Sequence, residues 1–303
     1  TLTIHVYLKH ATDFAAMNDA YRQAVGDSPP TRTTVVADLG PDALVAMSAV
    51  AVPDGAPREV LHPKGWAKSP RPYAYVVRSG DLVFCAGLVS RRGTDDAPVP
   101  GPASVQTKTI LDNAGALLAA AGLSYEHVVA ARVFITDEAY FAEMNDTYRS
   151  YFPEKPPARA TAVTPLMGPD ARVEIALVAS AAPREVLGPV VAPSLPLSPA
   201  VRAGRFVFLS GVLGNTDANA GDVAGQTREV LARIARTLGH AGLSWADVAE
   251  NTIYLPDVWQ ARAVHEAYGA VVTTDPPART TVGTRLVVGP GLVEMMMTAV
   301  SPR

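Results

Sequence analysis

The chain has one cysteine, Cys85, so it can form neither an internal disulfide nor a thiolate metal cluster. Its six histidines show no zinc-ligand spacing such as His-Glu-x-x-His, and neither a metal nor another cofactor is expected. An excess of either charge is also missing. The formal net charge is −3 and no basic run occurs, which gives no electrostatic footprint for nucleic acid. No apolar stretch approaches the ~18 residues that a membrane helix needs, so a membrane partner is not expected and the chain reads as cytoplasmic. Thr1 stands where an initiator Met would, which leaves room for an upstream segment. Cys85 lies in the apolar run Phe84-Cys85-Ala86-Gly87 and reads as an inert buried thiol.

What the chain does have is repetition. Pro29-Pro30-Thr31-Arg32-Thr33-Thr34 recurs as Pro156-Pro157-Ala158-Arg159-Ala160-Thr161 and again as Pro276-Pro277-Ala278-Arg279-Thr280-Thr281. The arginines lie 127 and 120 residues apart, too far for a solenoid period, so each copy belongs to a small domain. Upstream of them, Phe14, Met17, Asn18 and Tyr21 match Phe141, Met144, Asn145 and Tyr148, while the third copy carries His265 and Tyr268. Ala121-Gly122-Leu123-Ser124 recurs as Ala241-Gly242-Leu243-Ser244, and the joint Ala56-Pro57-Arg58-Glu59-Val60-Leu61 recurs as Ala182-Pro183-Arg184-Glu185-Val186-Leu187. By this ruler residues 54–182 and 183–303 are whole units, and residues 1–53 are the second half of one.

Within a unit the pattern is α/β. Residues 81–89 and 206–212 are short, continuously apolar and bounded by turn residues, as strands buried on both faces would be. From Gln106 to Ala121 a stripe of Ile110, Ala114 and Leu117 predicts a helix that Gly122 stops. Further strands are expected at 128–135 and 172–179, with a helix at about 140–151. The last strand is apolar on both faces, yet two helices can cover only one side of the sheet. The second side should therefore pack against the other repeats, with clefts where units meet.

The combination Phe-Ala-x-Met-Asn-x-x-Tyr, Pro-Pro-Ala-Arg-x-Thr and Val173-Glu174-Ile175 resembles the reactive intermediate deaminase family, also called RidA or YjgF, over the whole chain. That resemblance implies a chorismate-mutase-like fold, sheets inside and helices outside, packed here as an intramolecular pseudo-trimer. It also implies hydrolysis of reactive enamines and imines to ketoacids and ammonia in clefts between units.

A planar guanidinium suits such a substrate, because it grips a carboxylate through two parallel charge-assisted hydrogen bonds. Arg32, Arg159 and Arg279 are accordingly the expected anchors for a small carboxylate-bearing substrate. Tyr73, Asn145, Asn18, Glu174, Glu294 and His265 are the expected pocket residues. The structural alternative pairs Arg159 with Glu174 and Arg279 with Glu294 as ion pairs. Archetypal members are expected to carry a water-handling glutamate two positions after the first, where this chain has Ser48, Ala176 and Met296. Its loss predicts weak hydrolysis. Two other functions stay open: a non-catalytic ligand binder, and a biosynthetic enzyme with one diverged cleft, given Ala200 and His265 in place of Tyr73 and Asn145. The half unit predicts a gap in the assembly, covered either by upstream residues or by self-association.

Overall fold

The computed structural model describes residues 1–188 and 195–302. Five α-helices are formed among them: α1 (Phe14–Val25), α2 (Ala103–Ala120), α3 (Phe141–Tyr151), α4 (Val223–His240) and α5 (Ala261–Gly269). Helix α2 starts three residues before the expected Gln106, because Pro102 supplies an extended N-cap. It ends just before Gly122, whose φ of +70° an L-residue adopts only with strain. Ile110, Ala114 and Leu117 form the buried stripe, as their spacing requires.

The strands make three sheets. The sheet of residues 54–182 runs in the spatial order Ala158–Val163, Val128–Ile135, Val173–Ser180, Leu82–Cys85, Val76–Ser79 and Glu59–Leu61. That of residues 183–303 repeats the order with Ala278–Gly283, Val248–Leu255, Glu294–Val300, Phe206–Leu209, Ala200–Ala203 and Arg184–Leu187. The first 53 residues form only Thr31–Val36, Thr3–Leu8 and Val45–Val50. With no hairpin beside it, Val45–Val50 is an edge strand, and Leu44, Val45, Met47 and Val50 stand exposed along it.

One face of each whole sheet packs on its helices. Val173, Ile175, Leu177 and Ala179 join Ile110, Leu117 and Tyr148 in one core, and Met295 and Met297 join Ile234 and Tyr268 in its counterpart. The opposite faces share a third core that draws Tyr7, Phe84, Phe134, Phe208, Tyr254 and Met296 from all three parts of the chain. Backbone contacts link the parts in a cycle. Val35 bridges Leu166, Ala162 pairs with Leu286, and Gly283 bridges Asp38.

At the centre of the cycle stand His5, Arg132 and Thr252, each opposite the residue that follows a repeat arginine. Arg132 forms an ion pair with Glu250 at 2.7 Å and donates to Thr252 Oγ1 at 2.9 Å and Tyr254 Oη at 3.2 Å. These partners satisfy a charge that would be costly to bury alone.

Two expected strands are broken. The run 81–89 divides into Leu82–Cys85 and Leu88–Val89, and 206–212 into Phe206–Leu209 and Val212–Leu213. At each break a glycine leaves its own sheet to bond the preceding unit. Gly87 N–H donates to Arg32 C=O at 3.0 Å, and Gly211 N–H to Arg159 C=O at 3.0 Å. The breaks are where the arginine strands dock.

Candidate functional site

Arg32 leaves the strand Thr31–Val36 toward α1. Its Nη2 donates to Asn18 Oδ1 at 2.7 Å, and its guanidinium carbon lies 4.9 Å from the Tyr21 ring centre and 5.7 Å from that of Phe14. Asn18 and Tyr21 are three apart on the helix and so share the face toward the arginine. The opposite wall belongs to the next unit: the Tyr73 ring lies 5.5 Å away, and Glu174 stands beside Gly87 in the same cleft. A Cβ on Gly87 would fall 2.3 Å from Glu174 Oε1, so only glycine lets this carboxyl into place.

The second cleft is built alike. Arg159 faces the rings of Tyr148, at 4.9 Å, and Phe141, at 6.0 Å, and feels the charge of Glu294 from the following unit. A Cβ on Gly211 would lie 1.8 Å from Glu294 Oε1. Asn145 is buried in this second setting, on the helix turn equivalent to that of Asn18. Tyr73 and Asn145 therefore serve different clefts. Arg159 is only 1% exposed, and among the described residues its Nε and Nη1 have no hydrogen-bond partner.

The third arginine differs. Arg279 is exposed and packs 5.1 Å from the Tyr268 ring centre, with His265 nearby on α5. Partial burial and the Arg279 charge lower the His265 pKa. The position that supplies the facing glutamate elsewhere is Ala46 in the first unit, opposite Tyr7 as Glu174 is opposite Phe134 and Glu294 opposite Tyr254.

Two expectations are corrected by this geometry. Arg159 and Glu174 are not an ion pair, and neither are Arg279 and Glu294. The strand Val128–Ile135 runs between Arg159, opposite Ala131, and Glu174, opposite Phe134; Val248–Leu255 separates the other two in the same way. Each glutamate instead meets the arginine of the preceding unit. Ser48, Ala176 and Met296 do not stand in the first arginine cleft either. Two residues along a strand is a step of about 6.6 Å, and it carries these side chains to a central chamber of about 510 Å³ between the sheets, which Arg132, Glu250 and Arg279 also line.

The carboxyl that reaches the arginine is thus the first glutamate. Burial pushes Glu174 up to about 8, with the Thr34 amide and Arg32 opposing the shift, and burial pushes Glu294 to about 8 against the pull of Arg159. Both are largely neutral acids at pH 7. Burial also raises the Cys85 thiol to about 12, in keeping with an inert thiol.

A carboxyl raised in the fold holds its proton more tightly there than in the unfolded chain. The stability it contributes is full below the ordinary value of 4.5 and is lost as pH rises through about 8. Stability against denaturant should therefore fall as pH rises from 5 to 8. Glu174→Gln/Glu294→Gln should flatten that slope, and an unchanged slope would show that neither carboxyl is shifted.

Sequence reading overlooked Gly87 and Gly211, although their recurrence at equivalent places was a usable signal. It also overlooked the rim of the first cleft, where Trp66, Arg71 and Arg91 line the opening.

Helix-backed sheets that meet at an arginine and a buried carboxyl from the next unit define a protein of the RidA-like α/β class. The family model described as Endoribonuclease L-PSP matches residues 67–181 and 190–301, and the chain belongs to that family, which is the RidA/YjgF family. A RutC family protein of Sulfurisphaera tokodaii is 34% identical over 116 residues, spanning 37% of this chain and 93% of its own. The 3-aminoacrylate deaminase RutC of Acinetobacter baylyi is 32% identical over 123 residues, 41% of this chain and 98% of its own. A chorismatase crystal structure covers 99% of this chain and 92% of its own at a TM-score of 0.64 and 14% identity, a likeness of fold. No helix among the described residues is long and apolar enough to cross a membrane.

Proposed function

We propose that the chain is a deaminase-like hydrolase of small enamines and imines that carry a carboxylate, working in the first two clefts. The observation that carries this reading is the arginine and raised-pKa glutamate brought together from neighbouring units, twice, in Arg32 with Glu174 and Arg159 with Glu294. The relation to a 3-aminoacrylate deaminase supports it.

The arginine holds the substrate carboxylate and so fixes the reacting carbon relative to the glutamate. The neutral Glu174 acid donates its proton to the enamine β-carbon, and the nitrogen lone pair closes a C=N bond to give an iminium ion. The carboxylate left behind takes a proton from water as the water oxygen bonds to the iminium carbon. The re-formed glutamic acid then gives its proton to the carbinolamine nitrogen and takes the hydroxyl proton as the C–N bond breaks, so that ammonia leaves, a 2-oxo acid remains and the acid is restored. Glu294 plays the same part in the second cleft. At the third arginine the buried glutamate position of the adjoining unit is Ala46, which favours binding without the same chemistry there.

A coupled assay that generates 2-aminoacrylate in situ and times its disappearance tests the proposal. The expected result is acceleration over the uncatalysed decay, and none at any protein concentration would end this reading. Ala176→Glu should give no gain, because that side chain enters the central chamber rather than the first arginine cleft.

A further inference from the structure

The rim of the first cleft carries charge that the single-carboxylate reading does not use. Asp96 is shared by two arginines: Arg91 Nε bonds Oδ1 at 2.8 Å, and Arg71 Nη1 bonds Oδ2 at 3.3 Å. All three side chains are partly open to solvent, and all three line the cleft that holds Arg32. Two guanidiniums on one carboxylate leave one positive charge in excess. The neighbouring Arg92 does not alter the sum, because Asp95 bonds it at 2.7 Å. Arg71 is close enough to Arg32 for its charge to lower the Arg32 pKa.

The surplus is held in a built wall. Tyr73 and Trp66 each pack edge-on against Tyr75, with ring centres 5.7 and 5.1 Å apart. Gly93 admits the Trp66 ring, which a Cβ there would meet at 2.2 Å. Asp96 has a φ of +56°, uncommon for a residue other than glycine, and its backbone N–H is fixed by Arg92 C=O at 2.9 Å.

The repeat supplies an internal control. In the following unit the position of Arg71 is Ser198 and that of Arg91 is Asn215. Ser198 Oγ donates to Pro156 C=O at 2.5 Å and so serves the backbone. The second cleft has the deep arginine and the acid without the cationic rim.

We infer that the first cleft selects a dianionic substrate, an enamine or imine of a dicarboxylic 2-oxo acid, with one carboxylate on Arg32 and the other on the rim formed by Arg71 and Arg91. One surplus charge fits a second carboxylate better than a phosphate, which carries nearly two. This inference rests on the proposed anchoring by Arg32 and adds the substrate class.

The test reads binding and not turnover. Trp66 fluorescence, in a Trp245→Phe/Trp259→Phe chain, reports on the first cleft. It would be titrated with 2-oxoglutarate and oxaloacetate as diacids and with pyruvate and 2-oxobutyrate as monoacids. Diacids should bind at least about tenfold more tightly, and Arg71→Gln should remove most of that advantage while monoacid affinity stays within about twofold. Arg71→Gln leaves Asp96 paired with Arg91, so only the surplus charge is lost; Arg71→Lys should restore part of it. Equal affinity for the two ligand sets, or a diacid advantage that survives both Arg71→Gln and Arg91→Gln, would overturn the inference. Arg32→Gln separates the two ideas. Unchanged binding of every ligand in that variant would overturn the anchoring itself, whereas loss of binding in that variant together with equal wild-type affinity for diacids and monoacids would overturn only the rim.

Discussion

Enamine hydrolysis by Glu174→Gln/Glu294→Gln is expected to fall by roughly 10²–10⁴, the usual contribution of a positioned acid or base. The amide keeps the shape and the polarity of the side chain but has no acidic proton for the β-carbon, and it is too weak a base to take one from water. Burial that pushes both carboxyls to about 8 makes each an effective donor at neutral pH, since the acid is present and its proton can still leave. The direction with pH follows. Wild-type rate should hold below pH 7 and decline above about 8, as the acid form is lost. Both single variants are needed as well, because a single change should remove only the share of turnover carried by its own cleft. Stopped-flow consumption of 2-aminoacrylate measures all three. A double variant that retains wild-type rate would remove the glutamates from the mechanism.

The three arginines were legible in the sequence because the Pro-Pro-x-Arg motif repeats as a contiguous string. The strands Val128–Ile135 and Val173–Ser180 were legible because unbroken apolar runs bury both faces, and the stripe of α2 ends at a glycine whose φ is positive. The partners of the arginines were not legible. Arg159 and Glu174 are only fifteen residues apart in sequence, yet the strand between them holds them apart, and the carboxyl that Arg159 faces is Glu294. Which carboxyl meets which arginine depends on how units pack, and packing is not periodic in sequence. The displaced position of Ala176 has the same origin. Alternation correctly puts Glu174 and Ala176 on one face, but that face spans both a cleft and the central chamber, and alternation cannot say where one gives way to the other. The rim of Arg71 and Arg91 was hidden because Asp96 joins segments 25 and 5 residues away through a loop without periodicity.

Arg32→Lys is expected to weaken 2-oxo acid binding in the first cleft by roughly ten- to hundredfold, nearly as much as Arg32→Ala. Charge-assisted hydrogen bonds are worth about 1.5–3 kcal/mol each, and an ammonium cannot offer the two parallel bonds of a guanidinium. The surroundings sharpen the difference. Asn18 Oδ1 already takes one N–H at 2.7 Å, and the rings of Tyr21, Phe14 and Tyr73 hold the flat group on three sides. An ammonium at the same place would spend a proton on Asn18 and would leave those ring faces against a rounder, more strongly hydrated ion. Both variants should fold, since Arg32 has no ion pair among the described residues for the change to break; circular dichroism would check this. The readout is Trp66 fluorescence titrated with 2-oxobutyrate, so that the Arg159 cleft does not mask the loss. Lysine binding as tightly as arginine would mean that a point charge is sufficient there. The fork that Asn18 and the three rings hold in place would then have some other purpose than gripping a carboxylate.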